Sequence, residues 1–264
     1  MTKWGCYRMK EKISVLNFDT SLISKQDFRQ EVESFCKEGK LKSILFLSVP
    51  ILEEAMASEE YYEKVKRFQF IYPGNEDVLL MHPVEEYKQK GLMMGEGYLE
   101  EILEYIEKSE KTLYLVGDSY DKLQAFISYC QQKYSQIKLV GSFVGGEQMD
   151  DAILLNDINV TCPDVILTAI APQLQENWIQ DNLDKLNGKV LIGADVLVKK
   201  VIADQVEQYE RETHGALFNG CVRIKERIAR HFIHKMFRAS YESFMRLQEE
   251  KLGKRRFFVK ENKQ

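Results

Sequence analysis

Short apolar runs alternate with longer amphipathic runs along most of the chain. The short runs are continuous and rich in Val, Ile, Leu, Phe and Tyr, which is typical of strands buried on both faces of a parallel sheet. They are KISVLNF (12–18), SILFLSV (43–49), QFIYP (69–73), TLYLVGD (112–118), IKLVGSF (137–143), DVILTAI (164–170) and KVLIGAD (189–195).

The runs between them repeat apolar residues every three or four positions, which predicts helices. These helices cover 24–39, 51–68, 98–110, 119–136 and 173–187. The alternation predicts an α/β fold with a Rossmann-like, mostly parallel sheet flanked by helices. After about residue 210 only the helical pattern remains. We therefore expect an α/β domain over residues 1–210 and a basic, amphipathic helical C-terminal appendage over residues 211–264.

Charge separates the same two regions. The chain has 264 residues and a net charge of −4, but residues 221–260 carry twelve Lys and Arg against four Glu, or +8. The remainder therefore carries −12. A basic segment attached to an acidic body is typical of proteins that meet an anionic surface.

The basic segment also has an apolar stripe, with Ile224, Ile228, Phe232 and Met236 on one line. A basic amphipathic helix of this kind suits anionic lipid. We expect membrane or acceptor contacts from the segment's cationic residues Arg230, Arg238, Lys254, Arg255 and Arg256. The alternative is that the apolar face packs on the core or on another subunit. No nucleic-acid-binding module is recognisable, so RNA is a weaker interpretation and no nucleic-acid partner is expected.

Polar residues and glycines gather where the predicted strands end. In parallel α/β sheets, ligands bind beyond the carboxyl ends of the strands. The candidate substrate-binding residues at these ends are Asn75, Gly117, Asp118, Gly145 and Thr168. Helices that begin at Ser119 and Gln173 would direct backbone N–H groups at an anion. The alternative for each glycine is that it only makes the turn.

Several functional classes lack their motifs. The chain has no G-x-G-x-x-G after a strand and no G-x-x-x-x-G-K-[ST]. His231 and His234 are three residues apart without further metal ligands nearby in sequence, so neither a metal nor a cofactor is expected. Five scattered cysteines indicate reduced thiols, and no apolar run is long enough to span a bilayer, so a cytoplasmic location is predicted.

The segment DVILTAIAPQLQENWI, followed by KVLIGAD, resembles the bacterial WecG/TagA/CpsF glycosyltransferases. In that family an Asp-led apolar strand precedes Pro-Lys-Gln-Glu-x-Trp-Ile. Asp164, Gln175, Glu176, Trp178 and Ile179 fall on this pattern. The resemblance covers roughly residues 12–195.

The resemblance implies transfer of a sugar, often N-acetylmannosamine, from a UDP-sugar to a polyprenyl-diphosphate-linked acceptor in cell-surface polysaccharide synthesis. It also implies a peripheral location at the inner face of the bacterial membrane, with the basic appendage on the bilayer. A second copy of the chain or a partner transferase is a further expected partner. Gln175 and Glu176 would bind uridine or ribose; alternatively they cap a helix beside a packed Trp178.

Several positions depart from the family pattern. The family's catalytic base lies in a Pro-Asp-Gly turn, and here that turn reads Pro73-Gly74-Asn75. Glu76 and Asp77 follow it and are the candidate catalytic carboxylates, since an acceptor hydroxyl needs a base. The polar Thr-x-Asn-Pro after the second strand reads Leu47-Ser48-Val49-Pro50. The alternative function is therefore an inactive family member that binds a nucleotide sugar or a partner protein.

Overall fold

The computed structural model describes residues 10–146, 149–208 and 235–247. The chain divides into two compact units, residues 1–210 and 211–264. The strands among the described residues are β1 (Lys10–Val15), β2 (Phe18–Ile23), β3 (Lys42–Leu47), β4 (Phe70–Pro73), β5 (Thr112–Gly117), β6 (Lys138–Val144), β7 (Val165–Ala169) and β8 (Val190–Gly193).

Helices connect most of these strands. They are α1 (Lys25–Lys37), α2 (Val49–Ala57), α3 (Glu59–Lys66), α4 (Val84–Gln89), α5 (Gly97–Lys108), α6 (Tyr120–Lys133), α7 (Asp151–Thr161) and α8 (Leu174–Asn182). Residues 195–208 form a further helix, α9. Two short 3₁₀ turns cover Glu76–Leu79 and Leu183–Lys185.

Six of the described strands form one parallel sheet in the order β4-β3-β8-β7-β5-β6. The central strands are buried along nearly their whole length, which explains their continuous apolar sequence. The sheet is covered by helices on both faces, so the predicted α/β class with a parallel Rossmann-like sheet is confirmed.

Alternate residues of each strand point to opposite faces of the sheet. On one face, strand residues such as Leu113 and Leu115 join a core formed with α1, α5, α6 and α9. On the other face, Tyr114 donates a hydrogen bond to Asp157 of α7. The helices α3 and α8 pack against each other, and α8 packs on β8.

An aromatic cluster occupies the first face where α1 and α5 cross the sheet. The Phe28 ring lies edge-on to Tyr72 and Tyr98, with centroids 5.1 and 4.8 Å away. The two hydroxyls are not left unpaired: Tyr98 donates to the Met93 carbonyl at 2.8 Å and Tyr72 to Glu31 at 2.6 Å. Buried aromatic rings with satisfied polar ends contribute much of a core's stability.

Two sequence predictions were wrong in their extent. The single strand predicted over 12–18 is the middle of an antiparallel hairpin, β1–β2, which is not part of the parallel sheet. Leu16 and Asn17 both adopt positive φ, as a two-residue hairpin turn requires. The helix predicted over 51–68 is two helices, because Ser58 ends α2 and caps α3 by accepting from the Tyr61 N–H.

In the second unit, the described residues 235–247 are helical. Met236, which belongs to the predicted apolar stripe, is 63% exposed, whereas Phe237 is buried. Arg238 forms an ion pair with Glu242 one turn later, at 3.1 Å. Among the described residues, none of the helices combines the length and the apolar character needed to cross a bilayer.

Candidate functional site

The carboxyl edge of the parallel sheet collects most of the candidate residues. Thr168 lies at the end of β7, Asp118 follows β5, and Gly145 follows β6. Asn75 follows β4, at the far side of the same edge. The strand order thus divides the candidates between two halves of the edge, the β3–β4 half and the β5–β8 half.

A buried polar network joins β7, β8 and α8. The Thr168 hydroxyl donates to Gln175 Oε1 at 3.1 Å and lies 3.0 Å from the Ile192 carbonyl. Gln175 Nε2 donates to Glu176 Oε1 at 2.9 Å. All three side chains have 1% exposure or less. The packing is close, since a Cβ on Gly193 would lie 2.9 Å from Gln175 Nε2.

Glu176 closes the start of α8. Its Oε2 accepts from the Gln173 N–H and from the Tyr61 hydroxyl of α3, both at 2.7 Å. Together with the Gln173 side chain it forms a capping box. Burial raises the pKa of the Glu176 carboxyl, and the hydrogen bonds from Tyr61 and Gln175 act in the opposite direction.

The expectation that α8 presents its first N–H groups to an anion was therefore wrong, because the capping box engages the N–H groups of Gln173 and Glu176. Gln173 itself has φ of 74°, an unusual value for a residue other than glycine. The proposed alternative for Gln175 and Glu176, a capping pair beside Trp178, matches these contacts. Binding of uridine or ribose by the pair stays a prediction.

Asp118 lies in a turn built from glycines. The Gly145 N–H donates to the Gly117 carbonyl at 2.6 Å, which holds the end of β6 to the end of β5. Gly146 has φ of 137°, a conformation that requires glycine. Lys122 pairs with Asp118 Oδ2 at 2.7 Å, and Oδ1 is buried without a hydrogen-bond partner in the described part of the chain.

Asp195, at the start of α9, was not among the predicted site residues. It is 5% exposed and pairs with Lys199 at 2.8 Å. Burial raises the pKa of its carboxyl; Lys199 opposes this and the neighbouring Asp118 adds to it. Its position in the sequence could have identified it, because it is an acidic residue at the end of the last predicted strand run, two places after Gly193.

A small cavity of about 10 Å³ lies between the strands β5 and β7 and the helices α6 and α9. Gly117, Lys122, Asp195 and Lys199 contribute to its lining. One carboxylate and two ammonium groups thus line this cavity, and a second carboxylate, Asp118, is paired with Lys122. Such an arrangement can accept a proton and hold the charge of a phosphate group.

The β3–β4 half of the edge is filled by packing. A Cβ on Gly74 would lie 2.4 Å from Val196 Cγ1 and 2.5 Å from the Leu47 carbonyl oxygen. The Gly74 N–H donates to that carbonyl at 2.8 Å. Ser48 and Val49, at the end of β3, are also buried. This position therefore has no room for a carboxylate side chain.

The predicted carboxylates Glu76 and Asp77 belong to the 3₁₀ turn that follows. The Glu76 side chain is 54% exposed and pairs with Lys88 at 2.8 Å. Asp77 is half-buried. Asn75, just before them, has a buried Oδ1 without a hydrogen-bond partner in the described residues. A catalytic role for Glu76 and Asp77 stays a prediction.

Of the predicted membrane or acceptor residues, only Arg238 falls within the described part, where its side chain is 61% exposed. Arg230, Lys254, Arg255 and Arg256 lie outside the described residues. Within residues 10–146, 149–208 and 235–247, no group of three or more His, Cys, Asp or Glu side chains could hold a metal ion.

Comparison with known proteins identifies the family of this chain. Residues 13–210 match the model of the glycosyl transferase WecG/TagA/CpsF family. The chain is also 23% identical over 127 residues to an N-acetylglucosaminyldiphosphoundecaprenol N-acetyl-beta-D-mannosaminyltransferase of Bacillus subtilis (strain 168). That match covers 48% of this chain and 49% of the relative, so it spans about half of each protein. Because the family model matches most of the chain, including every strand of the parallel sheet, the chain belongs to the WecG/TagA/CpsF glycosyltransferase family.

Proposed function

We propose that this protein is a hexosyltransferase that moves an N-acetylmannosamine-like sugar from a UDP-sugar to a polyprenyl-diphosphate-linked acceptor. Family membership supports glycosyl transfer in general. The name of the Bacillus subtilis relative supports the sugar and the lipid-linked acceptor. The product would serve cell-surface polysaccharide synthesis.

The observation that most supports an active enzyme is the position of Asp118. Gly74 has no room for a side chain, so the base must come from another strand end. Asp118 Oδ1 is buried without a partner in the described residues, and Gly145 and Gly146 add no side chains beside it. Asp118 is therefore the candidate base for the acceptor hydroxyl, ahead of the more exposed Glu76.

In the proposed reaction, the acceptor hydroxyl gives its proton to Asp118 and its oxygen bonds to the anomeric carbon of the sugar. The bond from that carbon to the diphosphate oxygen breaks, and UDP leaves with the electron pair. Lys122 and Lys199 are the cations nearest Asp118 and Asp195, and they would stabilise the developing charge. Thr168, Gln175 and Glu176 hold the ends of β7 and β8 in place for this step.

The basic appendage would bring the site to its lipid-linked acceptor. Arg238 is one exposed cation of that segment, and the segment's net charge is +8. Cationic helices gain affinity for anionic lipid from each Lys or Arg near the surface. We therefore place the protein peripherally at the cytoplasmic face of the membrane.

A second candidate function is supported by the closed Gly74 position. An inactive family member would keep nucleotide-sugar binding, or bind a partner transferase, without transfer. The two functions differ in turnover. An inactive member that keeps nucleotide-sugar binding would bind a UDP-sugar as the enzyme does, but only the enzyme would release UDP when acceptor is added.

The test combines titration and turnover on the full chain. Purified protein is titrated with UDP and a panel of UDP-sugars, then assayed with a polyprenyl-diphosphate-linked N-acetylglucosamine acceptor in vesicles. Saturable binding with acceptor-dependent UDP release supports the enzyme. Binding without release supports the inactive member, and an absence of binding to any UDP-sugar contradicts both nucleotide-sugar proposals.

A further inference from the structure

A second, larger cavity lies away from the carboxyl edge, between the β1–β2 hairpin and the edge strand β4. Its volume is about 310 Å³, which is within the range of small-molecule sites. Its lining includes residues 68–71, at the amino-terminal end of β4. Gly74 and the carboxyl edge lie at the other end of that strand, so this cavity is separate from the proposed transferase site.

The cavity wall carries more positive than negative charge. Lys10, Lys12 and Lys66 contribute to the lining, together with one carboxylate, Asp19. Lys10 is compensated by Glu31, with their charged atoms 2.6 Å apart. Lys12 and Lys66 are exposed and form no ion pair within the described residues. Two ammonium groups from different elements, β1 and the end of α3, thus line one cavity, and in the described residues neither forms an ion pair with its carboxylate, Asp19.

The rest of the wall combines apolar side chains with the polar residues Asn17, Ser21 and Gln69. Phe18, Phe68 and Ile71 belong to the lining and are largely buried, with at most 5% exposure. The Phe18 ring stacks on Tyr62 with centroids 4.8 Å apart, which fixes its orientation. Sites for small ligands combine such a preformed apolar surface with a few polar groups that set the ligand's orientation.

We propose that this cavity binds a phosphate monoester with a compact organic body. Lys12 and Lys66 bind the phosphate, since an ammonium group is a favourable point-charge partner for it. The organic body lies against Phe18 and Phe70. The same chemistry is offered by a free metabolite and by the headgroup of phosphatidic acid, whose phosphate is also a monoester. The proposal does not depend on glycosyl transfer by the carboxyl edge.

The first experiment is a calorimetric titration of the full chain with glycerol 3-phosphate, with glycerol as the ligand that lacks the charge. The paired variant Lys12→Ala/Lys66→Ala is compared with Lys40→Ala/Lys185→Ala, which removes the same charge from exposed lysines that neither line this cavity nor belong to the basic appendage. We expect saturable binding of glycerol 3-phosphate only, weakened about tenfold or more in the first variant and unchanged in the second.

A second arm measures sedimentation with vesicles of phosphatidic acid and phosphatidylcholine in equal parts. Loss of vesicle binding in the Lys12/Lys66 variant alone, without binding of glycerol 3-phosphate, would assign the lipid headgroup as the source of the phosphate. Equal effects of both double variants would reflect net charge, and this result would overturn the proposal, as would no binding in either arm. UDP titration of the same variants keeps the outcome separate from the transferase site, because their UDP affinity is expected to be unchanged.

Discussion

The two halves of the carboxyl edge have opposite characters although they belong to one sheet. In the β3–β4 half, Gly74 and Val49 are packed under neighbouring side chains. In the β5–β8 half, Asp118 and Asp195 lie beside two lysines and a small cavity. The family's base position is in the first half, and the carboxylates of this chain are in the second.

The difference shows that the Gly74 position lacks both a carboxylate and the space for one. Val196 of α9 and the Leu47 carbonyl occupy the volume that a side chain would need. The helix that fills this volume also carries Asp195 toward Asp118. The helix α9 therefore contributes both a side chain that fills the β3–β4 half and a carboxylate of the β5–β8 half.

The largest expected effect comes from Asp118→Asn, which removes the proposed base but keeps the side chain's shape. General-base catalysis contributes about 10²–10⁴-fold, so we expect kcat to fall by that factor with little change in UDP affinity. Acceptor-dependent UDP release measures it. Asp77→Asn and Glu76→Gln serve as matched variants. A loss confined to Asp77→Asn would move the base back to the β3–β4 half.

The next effect concerns the network behind the β5–β8 half. Glu176→Ala leaves the Tyr61 hydroxyl, the Gln173 N–H and Gln175 Nε2 without their acceptor. Each buried donor left unpaired costs about 1–3 kcal/mol, so we expect a loss of about 3 kcal/mol or more in the free energy of unfolding. Urea denaturation measures this loss. Glu54→Ala, which removes only an exposed partner of Gln173, is the control and should cost far less.

A third variant tests whether a carboxylate can be reintroduced at the Gly74 position of the β3–β4 half. Gly74→Asp places a Cβ within 2.5 Å of both Val196 and the Leu47 carbonyl, a backbone atom that cannot move aside freely. Overpacking of this kind costs about 1–3 kcal/mol, and we expect no gain in sugar transfer. Thermal unfolding of Gly74→Asp and Gly39→Asp measures this cost. Gly39→Asp is the control, because a Cβ on Gly39 meets nothing within 4 Å. Increased transfer by Gly74→Asp would show that the two halves can exchange roles.

The smallest effect is a pH dependence carried by Asp195. Burial raises the pKa of its carboxyl in the folded state above the unfolded value. Both states are protonated at low pH, but the unfolded state releases its proton first as pH rises. Stability from this group therefore falls as pH rises from the unfolded pKa through the folded pKa. Asp195→Asn should remove that part of the slope when unfolding is measured by urea across this range, and an unchanged slope would contradict it.

The sequence was sufficient for the fold class because buried parallel strands have a distinctive pattern. Continuous apolar runs such as SILFLSV and DVILTAI could be assigned without knowledge of their neighbours. The hairpin was not predicted because Leu16 is not a typical turn residue. Although Leu16 adopts positive φ, the apolar sequence pattern shows no interruption there. The break at Ser58 was missed because the helical periodicity continues on both sides of it.

For the candidate site, the sequence determined which residues lie at strand ends, since each follows directly from its own strand. It placed Thr168, Gln175 and Glu176 at the β7–α8 junction and Asp118 after β5. Only the tertiary structure decided what surrounds them. Glu176 is buried because Tyr61 comes from a helix 115 residues earlier in the chain, and Gly74 is closed because α9 returns across β4. Local patterns are set by neighbours in sequence, whereas burial and available volume are set by contacts between distant segments.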